Sequence, residues 1–134
     1  MTQTKTLTAL TFSAILAAMP AVAQTPLKDV AHIRDGIISV GMAYELSEKC
    51  GDLSARTIRG INFLYSLKSH AEGLGYTDAQ IDAYINDEAE KDRLEAIARQ
   101  QLADLGVVEG DEATYCAVGR DQIAQGTDVG ALLR

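Results

Sequence analysis

After Pro26 the chain contains no further proline, so nothing in the following 108 residues forbids a long helix. The apolar residues of that stretch recur at spacings of three and four, the repeat of one helix face. Val30, Ile33, Ile37, Val40 and Tyr44 form such a stripe. Lys49 suits the negative end of the helix dipole, and Gly51 suits a left-handed residue just beyond it. Thr25 and Pro26 suit the N-cap and first position of the helix. This places a first helix over about 27–50, with Cys50 in its last turn.

A second helix is expected over about 54–73, capped by Asp52 or Ser54. Ile58, Ile61, Leu64 and Tyr65 supply its expected buried face, Ala71 and Leu74 extend it, and Gly73 and Gly75 end it. Thr77 followed by Gln80 has the capping-box pattern and opens a third helical stretch reaching Leu105. Ile85 and Leu94 lie nine positions apart, which at about 100° per residue puts them on opposite sides. A break near Asn86 and Asp87 is therefore expected, with Asp87 capping anew; one straight helix with a wrapped core face is the alternative. Asp111 and Glu112 begin a fourth helix, with Tyr115, Cys116, Val118, Gly119 and Ile123 on its apolar face and Gly126 at its end. Thr127 and Asp128 start a terminal turn carrying Val129, Leu132 and Leu133. No strand alternation or hairpin turn occurs. The fold class read from these signals is all-α, a compact bundle of four to five helices in one domain, 24–134.

Residues 1–23 read as a cleavable signal peptide. Lys5 precedes an apolar run from Leu7 to Val22, and Ala21-Val22-Ala23 offers small residues for cleavage after Ala23. The expected location is the periplasm, with no membrane span after signal removal. Export permits a disulfide. Cys50 and Cys116 are the only cysteines, and pairing between them would join the end of the first helix to the second turn of the fourth. The alternatives are two reduced thiols or a redox-active pair, though redox pairs usually stand close together in sequence.

The formal net charge is −7, and removal of Lys5 makes it −8. An excess of carboxylates argues against nucleic acid, which requires concentrated positive charge. It suits solubility or a cationic partner. No covalent-haem motif, nucleophile elbow or phosphate-cradling glycine loop is present, and the two histidines, His32 and His70, stand in no metal-binding spacing. Catalytic residues, metal and cofactor are accordingly all read as none. Glu88, Asp92 and Glu95 form a carboxylate row, but Lys91 and Arg99 interleave with acids at i,i+4, as on a solvated, salt-bridged face.

Two features point toward binding. Gly36, Gly41, Gly60 and Gly119 fall inside helices, where each costs about 1 kcal/mol relative to alanine; close helix packing or a cleft would account for them. Arg56 and Arg59 share a face in the first turns of the second helix, where the dipole disfavours cations. With Asn62, Tyr44 and Tyr65 they make a candidate groove or anion contact, while structural salt bridges or core packing are the plainer readings. Tyr44, Tyr65 and Tyr115 fall on expected core faces.

The chain resembles the small exported helical proteins of alphaproteobacteria grouped as a domain of unknown function. The residues that carry the resemblance are Tyr44-Glu45-Leu46-Ser47-Glu48-Lys49-Cys50, Arg59, Ala71, Gly73-Leu74-Gly75-Tyr76, Tyr115-Cys116-Ala117-Val118-Gly119 and the tail Gly130-Ala131-Leu132-Leu133-Arg134. The resemblance implies an exported helical domain with paired cysteines and brings no activity. The expected function is a non-catalytic periplasmic binding or accessory protein, taking a protein or small ligand in a groove between the first, second and fourth helices. An acid-stress chaperone or an inhibitor or immunity protein for a cationic partner is the alternative; a small enzyme ranks below both.

Overall fold

A computed structural model describes residues 23–134. The expected signal peptide, all but its last residue Ala23, lies outside the described residues. Six helices follow a short 3-10 turn at Leu27–Asp29: α1 Ala31–Lys49, α2 Thr57–Gly73, α3 Asp78–Ile85, α4 Glu88–Asp104, α5 Glu112–Gln125 and the single turn α6 Asp128–Ala131. Among the described residues there is no strand; one isolated antiparallel bridge pairs Ala55 with Leu133.

Helix boundaries follow local chemistry. Thr77 caps α3 with the reciprocal box, its hydroxyl accepting from the Gln80 N–H while the Gln80 side chain accepts from the Thr77 N–H. Asn86 ends α3, and Asp87 caps α4 by accepting from the Glu90 N–H at 3.1 Å. The third stretch is thus two helices. Asp111 and Thr127 cap α5 and α6 in the same way. Gly75 and Gly126 take positive φ after α2 and α5.

Several expected boundaries are corrected. Residues 27–30 do not belong to the first helix. Pro26 and Leu27 carbonyls accept i+3 bonds from Asp29 and Val30, and the extended backbone of Val30 caps α1. Cys50 lies just past α1 with extended backbone, and Gly51 is not left-handed; its N–H donates to the Glu112 carboxylate at 2.9 Å. Neither Asp52 nor Ser54 caps α2. Asp52 pairs with Arg120, and Ser54 exchanges backbone bonds with Arg134, so Arg56 takes the cap position with no side-chain bond.

The long α1 is the axis of the molecule. Its N-terminal half packs with the 3-10 turn, α2 and α3 around Leu27, Ile33, Leu67, Ala71, Tyr76 and Ile81. Its C-terminal half packs with α4, α5 and α6 around Met42, Leu46, Leu94, Leu102, Tyr115 and Leu133. Ile37, Phe63 and Tyr84 touch both clusters and form the seam. Cys50 and Cys116 form the disulfide between the end of α1 and α5, with Cα atoms 5.2 Å apart. The loop after α1 is further held to α5 by the Gly51–Glu112 bond and the Arg120–Asp52 pair at 2.7 Å.

Candidate binding surface

The second helix carries the main departure from the sequence reading. Phe63, Leu67 and Ala71, one i+4 row, face inward. Leu67 seats against Gly36 of α1, where a Cβ would fall 2.7 Å from Leu67 Cδ1. That contact sets the rotation of α2. Ile58 and Tyr65 lie nine and two positions before Leu67, so at about 100° per residue both stand on the far side. The expected buried face is instead exposed: Ile58 by 73%, Ile61 by 44%, Leu64 by 42% and Tyr65 by 66%. Leu74, just past α2, is exposed too. On α1, Tyr44 is 61% exposed, which corrects its expected core position together with that of Tyr65. Tyr115 is buried as read.

Tyr44, Arg56, Gly60, Ile61 and Leu64 share a groove of about 510 Å³ between α1 and α2, closed by Leu132. The C-terminal segment forms that wall because Arg56 N–H donates to Leu132 O, and Ser54 and Arg134 exchange bonds beyond it. The fourth helix of the sequence reading, now α5, does not line the groove. An adjoining depression of about 480 Å³ gathers Arg56, Arg59, Asn62 and Arg134, with no carboxylate side chain among the described residues of its wall. Arg59 is partly committed to the fold, since its Nη1 donates to Ala131 O at 3.2 Å. Tyr65 lines neither recess. The structure therefore brings Tyr44, Arg56, Arg59 and Asn62 into two contiguous recesses and leaves Tyr65 on the open face beside them.

The interior glycines divide. A Cβ on Gly36 would collide with Leu67 and one on Gly119 with Leu53; Gly41 meets the Ala98 Cβ of α4 at 3.7 Å. These three serve packing. Gly60 has open space where its Cβ would be, and its missing side chain widens the groove.

Other candidate groups assemble less. His32 and His70 do meet, edge to face with ring centroids 4.6 Å apart. Among the described residues, no three His, Cys, Asp or Glu side chains gather as a metal-holding group. In the carboxylate row Lys91 pairs with Glu88 at 2.8 Å rather than with Asp87 or Glu95, because Asp87 is engaged as a cap. Arg99 pairs with Glu95 at 3.1 Å. A depression of about 660 Å³ between α1, α4 and the loop before α5 has mixed charged walls, including Glu45, Lys49, Arg99 and Glu109.

One cluster was not singled out from the sequence. Tyr84 of α3 and Glu90 of α4 sit at the seam beneath α1 and α2. Glu90 is buried and bidentate to Arg93, at 2.8 and 2.6 Å. The Arg93 guanidinium holds its carboxyl below the usual range despite burial. Burial, then the neighbouring Glu90 charge, push the Tyr84 phenol up to about 12. Among the described residues the Tyr84 hydroxyl makes no hydrogen bond of ordinary geometry, although the Glu90 carboxylate lies beside it. Its position between Ile81 and Ile85 was the sequence signal, a polar tip on a short apolar helix.

These features define an all-helical, disulfide-linked bundle that presents an apolar helix face beside an arginine-lined recess. The chain belongs to the family of unknown function DUF5333, which matches residues 25–134. No curated protein and no solved structure matches the chain at a significant level.

Proposed function

We propose that this chain is an exported, non-catalytic binding protein that docks a protein partner along the outer face of α2 and the groove between α2 and α1. One observation carries the reading: Ile58, Ile61, Leu64 and Tyr65 stand in solvent on a helix whose opposite face is packed. Contiguous exposed apolar residues on a small soluble domain mark an interaction surface. The aromatic and arginine side chains there are the types enriched among binding hot spots. Arg56, Arg59 and Arg134 at the N-terminal end of α2 favour a partner segment with a carboxylate beside its apolar residues. Such a segment would place apolar side chains on α2 and its acid among the guanidinium groups.

The test is a photo-crosslinking residue placed at Ile58 or Tyr65 in the cell that makes the protein, with Gln100 of α4 as control. A discrete adduct from positions 58 and 65, absent from position 100 and lost in Arg56→Glu, supports the reading. Equal labelling from all three positions refutes it.

A further inference from the structure

A cavity of about 230 Å³ lies at the seam, bounded by α1, α2, α3 and α4. Its walls include Ile33, Ile37, Leu67, Ala71, Ile81 and Leu94. Buried Glu90 and half-buried Tyr84 are both in that wall. Both Glu90 oxygens accept from Arg93. Among the described residues the Tyr84 hydroxyl is shielded from solvent and makes no hydrogen bond of ordinary geometry. The Glu90 carboxylate beside it is already taken up by Arg93, and a buried donor that is poorly matched to its acceptor carries a desolvation cost that the fold leaves partly unrecovered. Lys68 and Lys91 stand at the rim, but Lys68 is held by Glu72 and Asp78 at 2.8 and 2.9 Å, and Lys91 by Glu88. Among the described residues the rim therefore offers no free cation for an anionic headgroup, and the buried Glu90 carboxylate disfavours one further. Exposed Leu64 and Ile85 mark the mouth.

We propose that this cavity binds a small, uncharged, mainly apolar molecule carrying one hydrogen-bond acceptor, and that Tyr84 supplies the donor. A cavity of about 150 Å³ lined by aliphatic and aromatic residues stays dry and takes up benzene. The space here accommodates a ring with a short substituent, roughly nine non-hydrogen atoms on the same scale. The acceptor is a carbonyl, ester or ether oxygen. The phenol stays protonated throughout the physiological range, so it can donate. This site is independent of docking on the outer face of α2, and either can fail without the other.

Two probes of matched size, acetophenone and ethylbenzene, separate the acceptor from the apolar body. They are titrated into the full chain with 13C-labelled Ile and Leu methyl groups followed by NMR. Acetophenone is expected to shift the methyls of Ile33, Ile37, Leu67 and Leu94 while leaving Ile58 unmoved, and to bind about tenfold more tightly than ethylbenzene. Tyr84→Phe is expected to erase that preference and leave ethylbenzene binding as it was. If Tyr84→Phe does not fold, the comparison of the two probes on the natural chain decides alone. No methyl shift with either probe at millimolar concentration overturns the site. Equal affinity of the two probes overturns the role of Tyr84, as it would if a trapped water already satisfied the hydroxyl.

Discussion

A Cβ at Gly130 would overlap the carbonyl of Gln122, a backbone group with no freedom to yield. Gly130→Ala is therefore expected to lower stability by about 3 kcal/mol through forced displacement of α6 from α5, read from urea denaturation midpoints. At the seam, protonation matters. The Glu90 carboxyl titrates lower in the folded chain than in the unfolded one. Its contribution is complete above the ordinary carboxyl range and is lost as pH falls through the depressed folded value. Glu90→Gln should flatten that part of the acid limb of a stability–pH curve. Tyr84 acts at the other end. Its phenol titrates near 10 when unfolded and about 12 when folded, so stability should fall as pH rises from the first value to the second. Tyr84→Phe should remove that alkaline loss, measurable by denaturation at stepped pH.

The helices themselves show how far periodicity reaches. Thr77 with Gln80, Asp87, Asp111 and Gly126 mark their own boundaries, because a cap is a bond between neighbours in sequence. The orientation of α2 is another matter. Two apolar rows run along it, Ile58-Ile61-Tyr65 and Phe63-Leu67-Ala71, and both satisfy helical spacing. Burial goes to the second because Gly36 opens a slot for Leu67 on α1. Substitutions distinguish the rows. Leu67→Ala is expected to cost about 2–5 kcal/mol, while Ile58→Ser should stay within about 0.5 kcal/mol of the parent. A large loss at Ile58 in an isolated monomer would contradict the exposed face described here.

Across the whole molecule, the disulfide joins positions 66 residues apart and encloses α2, α3 and α4 in the loop. Its removal frees the unfolded chain, and the chain-entropy contribution for a loop of that length is about 4 kcal/mol. Cys50→Ser with Cys116→Ser should show a loss of that order in urea denaturation, with the helical circular dichroism preserved below the transition. The Gly51–Glu112 and Arg120–Asp52 contacts hold the same junction, so the native packing of α1 on α5 does not depend on sulfur alone.

The all-helical class, the break at Asn86 and Asp87, and the paired cysteines were legible in the residues themselves. They rest on local caps, on the 3.6-residue repeat and on there being one possible partner for each thiol. The solvent-facing row of α2, the arginine recess against the C-terminal segment and the Tyr84 cavity came only with tertiary packing. Each depends on which of two equivalent helix faces meets a neighbour, and that choice is made by shape complementarity between residues distant in sequence, such as Gly36 with Leu67 and Arg56 with Leu132.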